Sequence, residues 1–126
     1  TISGSPRFLP NEGERRWQVL RMQALADGIM DSGVAMIYES RRPEAQRSPD
    51  WQQRRQGSIL RSIRQLDDDP ALLAGPVNLG SIAVACALGY LDFRLPELDW
   101  RQQHPHVANV YASLRELPGM RATLPS

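Results

Sequence analysis

The chain has 126 residues, one cysteine and a formal net charge of +1, enough length for a single core and too little charge for an overall electrostatic attraction to nucleic acid or membrane. Its 15 basic residues are all Arg, which excludes Schiff-base and general-base lysine chemistry. The lone Cys86 excludes an intrachain disulfide, and the absence of disulfides accords with a cytoplasmic setting.

Residues 1–13 read as a linker punctuated by Gly4, Pro6, Pro10 and Gly13, with Phe8 and Leu9 as a possible anchor. Thr1 shows no signal-peptide pattern and is not an initiator Met, so it is not expected to be the natural start. Residues 14–126 read as one helical domain. From Glu14 to about Glu39 a long helix is expected. Val19, Met22, Ala26, Ile29, Met30, Gly33 and Ile37 form its core stripe at three- and four-residue steps. Trp17, Leu20, Ala24, Gly28, Asp31, Ala35 and Tyr38 form a second stripe, mixing small, aromatic and acidic residues. Such a face suits another domain, another subunit or a ligand. Gly28 and Gly33 each cost about 1 kcal/mol relative to Ala inside a helix, which close backbone approach or a bend would explain. Arg41, Arg42 and Pro43 end the helix.

Ser48 is the N-cap of the next helix, with Pro49 at its first position and Asp50 complementing the dipole. Trp51, Ile59, Leu60, Ile63 and Leu66 supply its buried side, and Arg54, Arg55, Arg61 and Arg64 its exposed side. Asp67, Asp68 and Asp69 invite a metal reading, but lack the glycine turn and later glutamate of a calcium loop. A solvated helix end is the better reading, with Pro70 as the stop.

Asn78 to Leu91 runs apolar on every side. Asn78 is its N-cap, Ser81 the return partner of a capping box, and Val77 and Ile82 have the spacing of a hydrophobic staple. No charge occurs from Pro70 to Leu91, which raises the question of a membrane span. Pro70, Gly75, Pro76 and Asn78 break that run below the ~20 apolar residues a bilayer crossing needs. The segment is therefore expected to be the buried axis of a bundle, with Cys86 a small core residue. After a polar connection through Trp100, the last helix starts near His104 and Pro105 and buries Val107, Val110, Tyr111, Leu114 and Leu117. Pro118 ends it, and Gly119 to Ser126 is tail. His104 and His106 do not share a helical face and read as surface residues at a helix start. No HExxH, CxxC, GxSxG, Walker or GxGxxG pattern is present. These residues alone describe an all-α domain with one uncommitted face.

In order, Ala24 to Asp31 with Tyr38 and Glu39, the capped helix from Asn78, Gly89 to Arg94, Asp99 to Arg101, His104 and Pro105, Tyr111, Pro118, Thr123 and Pro125 form a recognisable set. This set resembles the C-terminal domain of bacterial glutathione S-transferases, from about Phe8 to Pro125. The capping motif departs from the family pattern: Asn78 and Ser81 stand where Ser or Thr and Asp are usual, which softens the box. Val110 replaces a common Trp, and Leu117-Pro118-Gly119 the usual Arg-Pro-Ser.

The resemblance implies an all-α bundle of about five helices around a buried central helix. It implies a thioredoxin-like domain before Thr1 that holds most of the glutathione site and the catalytic residue, so that no catalytic residue lies in this chain and the fragment alone is inactive. Glutathione is the implied co-substrate and an apolar electrophile the implied partner, in a cytoplasmic homodimer with no metal, nucleic acid or membrane. Asp31, Val34, Tyr38 and Trp100 are the expected substrate-binding residues. Asp31 matches a position where a carboxylate lies near the amino group of glutathione, and reads equally well as a plain exposed Asp. Tyr38 reads somewhat better as a packing aromatic. Trp17, Leu20 and Ala24 are expected at a dimer or interdomain contact. Two other readings stay open: a non-catalytic protein-interaction module, and the C-terminal domain of a glutathione-dependent disulfide reductase or peroxidase.

Overall fold

The computed structural model describes residues 13–74 and 77–117. The expected linker before Gly13, the break at Gly75 and Pro76, and the stretch from Pro118 to Ser126 lie outside the described residues.

Helix α1 spans Gly13–Ser40. Gly13 opens it with φ +84°, a conformation that glycine adopts without the Cβ penalty. Val19, Met22, Ala26 and Ile29 are buried as the stripe predicts. Met30 and Ile37 are only half-buried, while Ser32 and Glu39 are buried instead. The buried arc drifts because α1 packs against two long helices, α2 and α4, rather than one.

A short 3₁₀ turn, Glu44–Gln46, leads to α2, Pro49–Asp68. The Ser48 hydroxyl accepts the Trp51 N–H at 3.2 Å, with Pro49 in the first turn. The Glu39 carboxylate joins the two helices. It accepts the Ser48 N–H at 2.8 Å and an Arg42 N–H at 3.0 Å. Further along, Gln52 donates to the Met36 carbonyl and Arg21 to Gln65, so α1 and α2 run antiparallel. Ile59, Ile63 and Leu66 carry the buried side.

Pro70 ends α2 but does not end helical structure. It takes the first turn of α3, Pro70–Leu73, where its missing N–H has no helical partner to lose. Arg15 of α1 reaches the end of this turn and donates to the Ala74 carbonyl at 2.7 Å.

Helix α4, Leu79–Arg94, is the most deeply buried element; only Phe93 and Arg94 are exposed. Its capping box closes in both directions. The Ser81 N–H donates to Asn78 Oδ1 at 2.9 Å, and the Asn78 N–H donates to Ser81 Oγ at 2.9 Å. At 16 residues α4 is short of a bilayer, and no helix among the described residues is long and apolar enough to cross one. Two glycines bring α4 against α1. A Cβ on Gly80 would stand 2.9 Å from Met22 and from the Val19 carbonyl oxygen, and one on Gly33 would stand 3.2 Å from the Tyr90 ring. The order of these contacts makes α1 and α4 parallel, so both C-termini lie at one end of the bundle. Gly28 has nothing within 4 Å of a Cβ position, so it faces open space rather than a neighbouring backbone. Cys86 is half-buried rather than interior, and burial raises its thiol pKa.

Helix α5, Pro105–Arg115, packs on α2 and α4. Its N-terminus is capped from another helix: Asp67 of α2 accepts the Val107 N–H at 3.1 Å. His104 is buried, contrary to the surface expectation, because its Nδ1 lies 2.6 Å from the Trp100 carbonyl. Among the described residues no group of three or more His, Cys, Asp or Glu is placed to hold a metal, the Asp67–Asp69 run included.

Candidate functional site

The second stripe of α1 is a surface. Trp17 is 60% exposed, Leu20 40% and Tyr38 66%; Ala24, Gly28 and Asp31 are exposed as well, and Ala35 is half-buried. Exposed aromatic and aliphatic side chains in one line on a helix mark a contact surface more often than isolated ones do. The first half of this stripe holds Trp17, Leu20 and Ala24, and the second half turns toward a cleft.

That cleft lies where α1 and α4 end side by side. Val34, Ile37 and Tyr38 line it from α1, Arg41 from the turn just after that helix, and Tyr90 and Arg94 from α4, around about 190 Å³. This is smaller than the ~300–1,000 Å³ of a complete small-molecule site. It is a wall and a corner rather than an enclosure. Its chemistry is mixed: two aliphatic side chains, two phenols and two guanidiniums, with no carboxylate in the lining. The Arg41 guanidinium lies 6.0 Å from the Tyr38 ring centroid, and Arg94 lies 4.7 Å from that of Phe93. No thiol or imidazole lines the cleft, so these residues can bind and orient a ligand but offer no nucleophile of that kind.

Of the expected substrate-binding residues, the structure brings Val34 and Tyr38 together in this cleft. Asp31 is exposed on the same helix about 10 Å of axial rise before Tyr38, outside the lining. Trp100 stands elsewhere. It is fully buried, stacked edge-on against Tyr111 at 5.7 Å, and its indole N–H donates to Asp92 at 3.2 Å. Arg101 covers the Trp100 ring at 4.5 Å while donating to both Asp92 oxygens at 2.9 and 2.7 Å. That ion pair raises the Arg101 pKa, and burial raises that of Tyr111. Trp100 therefore has no face to offer a ligand; it anchors the connection between α4 and α5. The sequence marks Arg41 as a helix end and places Tyr90 and Arg94 in the central helix and its exit, with none of the three singled out for a site. Their convergence depends on the parallel register of α1 and α4, which two glycines far apart in sequence set.

The family profile described as glutathione S-transferase, C-terminal domain, matches residues 49–113. The chain is 39% identical over 113 residues to the uncharacterized GST-like protein YibF of Escherichia coli strain K12, covering 87% of this chain and 56% of that protein. A glutathione transferase family member from Pseudomonas fluorescens Pf-5, solved with bound S-(propanoic acid)-glutathione, superposes with a TM-score of 0.88 at 42% identity. The match takes in 94% of this chain and 62% of that one. A glutathione S-transferase from Methylobacillus flagellatus KT, solved with glutathione bound, gives a TM-score of 0.86 at 33% identity over 94% of this chain and 61% of that one. The chain thus spans less than two thirds of the length of each of these relatives.

Proposed function

Because the chain belongs to the glutathione S-transferase family, as its C-terminal domain, we propose that it forms the electrophile-side wall of a glutathione-dependent active site. A thioredoxin-like domain in the intact protein would hold glutathione and favour its thiolate, the form that is nucleophilic. The thiolate sulfur then forms a bond to an electrophilic carbon of an apolar substrate seated against this domain, as the bond from that carbon to its leaving group breaks and the group, such as a halide, departs with the electron pair. Val34 and Tyr38 are the wall residues of this reading, and Asp31 the carboxylate directed to the amino group of glutathione. Trp17, Leu20 and Ala24 are its contact to a second copy or to the thioredoxin-like domain, in a homodimer.

The observation that carries the reading is the fit of 94% of this chain onto a family member solved with a glutathione conjugate bound. The placement of Val34 and Tyr38 in one cleft supports it. The test is steady-state kinetics of the intact protein. Asp31→Ala raises KM for glutathione about tenfold, the effect of losing one charge-assisted hydrogen bond. Tyr38→Ala raises KM for the electrophile and leaves that for glutathione alone. Unchanged glutathione affinity in Asp31→Ala removes Asp31 from the site. Absence of glutathione-dependent turnover in the intact protein removes the reading altogether. The exposed Trp17 and Leu20 favour a second reading, a protein-interaction module, which tight binding of the isolated chain to a protein partner supports.

A further inference from the structure

The cleft between the ends of α1 and α4 carries more positive charge than its helices require. Each helix C-terminus is equivalent to about half a negative charge. Arg41 and Arg94 bring a full positive charge each to the same corner, leaving an excess of about one unit. The carboxylates nearest them in sequence are committed elsewhere. Glu39 accepts from Ser48 and Arg42, and Asp92 is held by both donors of Arg101. Arg42, Arg64 and Arg101 each have a carboxylate partner, whereas Arg41 and Arg94 form no ion pair among the described residues. Their guanidiniums rest instead near the rings of Tyr38 and Phe93, which leaves their N–H groups for a ligand. Val34, Ile37 and the faces of Tyr38 and Tyr90 supply an apolar floor beside them.

We propose that this cleft binds an anionic group of the electrophile: a substrate with a short apolar or aromatic body ending in a carboxylate, the body against Val34 and Tyr38 and the carboxylate between Arg41 and Arg94. This rests on the transferase reading for the word electrophile, but the binding preference itself belongs to this chain. Arg is suited to the task because its planar fork meets a carboxylate with two parallel bonds.

The test is a titration of hydrocinnamate and of its uncharged amide into the chain, followed by the NMR shifts of the Tyr38 and Tyr90 rings. The acid binds about tenfold more tightly than the amide, and added salt weakens the acid alone. The Arg41→Gln, Arg94→Gln double substitution abolishes the preference, whereas Arg41→Lys with Arg94→Lys retains part of it. Both residues are exposed, and circular dichroism verifies that the variants stay folded. Equal binding of acid and amide, no binding of the acid, or a preference that survives the double Gln substitution overturns the proposal. Conjugation of glutathione to a neutral benzyl halide by the intact protein is measured separately. Activity there without an acid preference here sinks only this proposal, and the reverse result sinks only the transferase reading.

Discussion

Gly80 is the residue whose side chain would do most harm. Its Cβ position meets the Met22 side chain and the Val19 backbone oxygen at 2.9 Å, and the backbone cannot step aside as a flexible side chain can. Gly80→Ala therefore destabilises by about 1–3 kcal/mol, the usual cost of overpacking. A lowered denaturant midpoint at unchanged m-value is the expected signature. Gly28→Ala is the matched control: with open space at its Cβ, it stabilises by up to about 1 kcal/mol through helix propensity. Glu39 gives a pH dependence. The Ser48 N–H first, and Arg42 second, lower its pKa, with desolvation opposing them. A depressed carboxyl pKa contributes stability that is present above the ordinary carboxylate range and is lost as pH falls through the folded value. Unfolding midpoints measured down through the acid range should fall in the wild type and fall less in Glu39→Gln. Equal slopes in the two proteins would remove Glu39 from the account. Neither residue was legible in the sequence. Glycine near a helix start, and Glu before a double Arg, look ordinary until the neighbouring helix and the Ser48 amide are in place.

At the scale of the element, helix starts were legible because their chemistry is local. Ser48 with Pro49 and Asn78 with Ser81 lie within three or four residues of the groups they satisfy, and the structure shows those bonds. The start of α5 was half legible. Pro105 marks it, but His104 makes no side-chain cap, and the acceptor comes from Asp67, 40 residues earlier. That contact gives one member of the Asp67–Asp69 run a structural task that no metal is needed to explain. Asp67→Ala should cost about 1 kcal/mol, the typical value of a lost N-cap, and Asp67→Asn much less. Hydrogen exchange provides the check: the first turn of α5 loses protection in Asp67→Ala, and Asp68→Ala leaves it unchanged. Trp100 shows the opposite failure. The family resemblance implies a substrate contact for it, yet Asp92, Arg101 and Tyr111 enclose it from two elements that only the fold brings together.

For the whole molecule, α1 serves two roles. One side carries the core with α2 and α4, and the other leaves Trp17 and Leu20 in the open. The two stripes were legible from periodicity alone, as was the all-helical class. What the second stripe faces was not, because a partner leaves no trace in the spacing of the residues that meet it. The dimer reading makes a definite demand on those residues. Trp is enriched among the few side chains that dominate interface energies, with losses of about 2 kcal/mol or more on truncation. Trp17→Ser with Leu20→Ser should shift the intact protein toward monomer in sedimentation equilibrium, with no loss of helix content. An unchanged dimer in that double variant assigns the stripe to another contact.

The three tryptophans sample three depths of this structure: Trp17 is largely exposed, Trp51 half-buried beside Arg55 at the start of α2, and Trp100 sealed beneath Arg101. They make the chain its own set of optical probes. In single-tryptophan variants, emission from Trp17 responds to whatever docks on the open side of α1. Trp51 follows loosening of the α1–α2 junction, and Trp100 changes only when the core opens. Docking, local opening and global unfolding thus become separable events in one molecule without an added label.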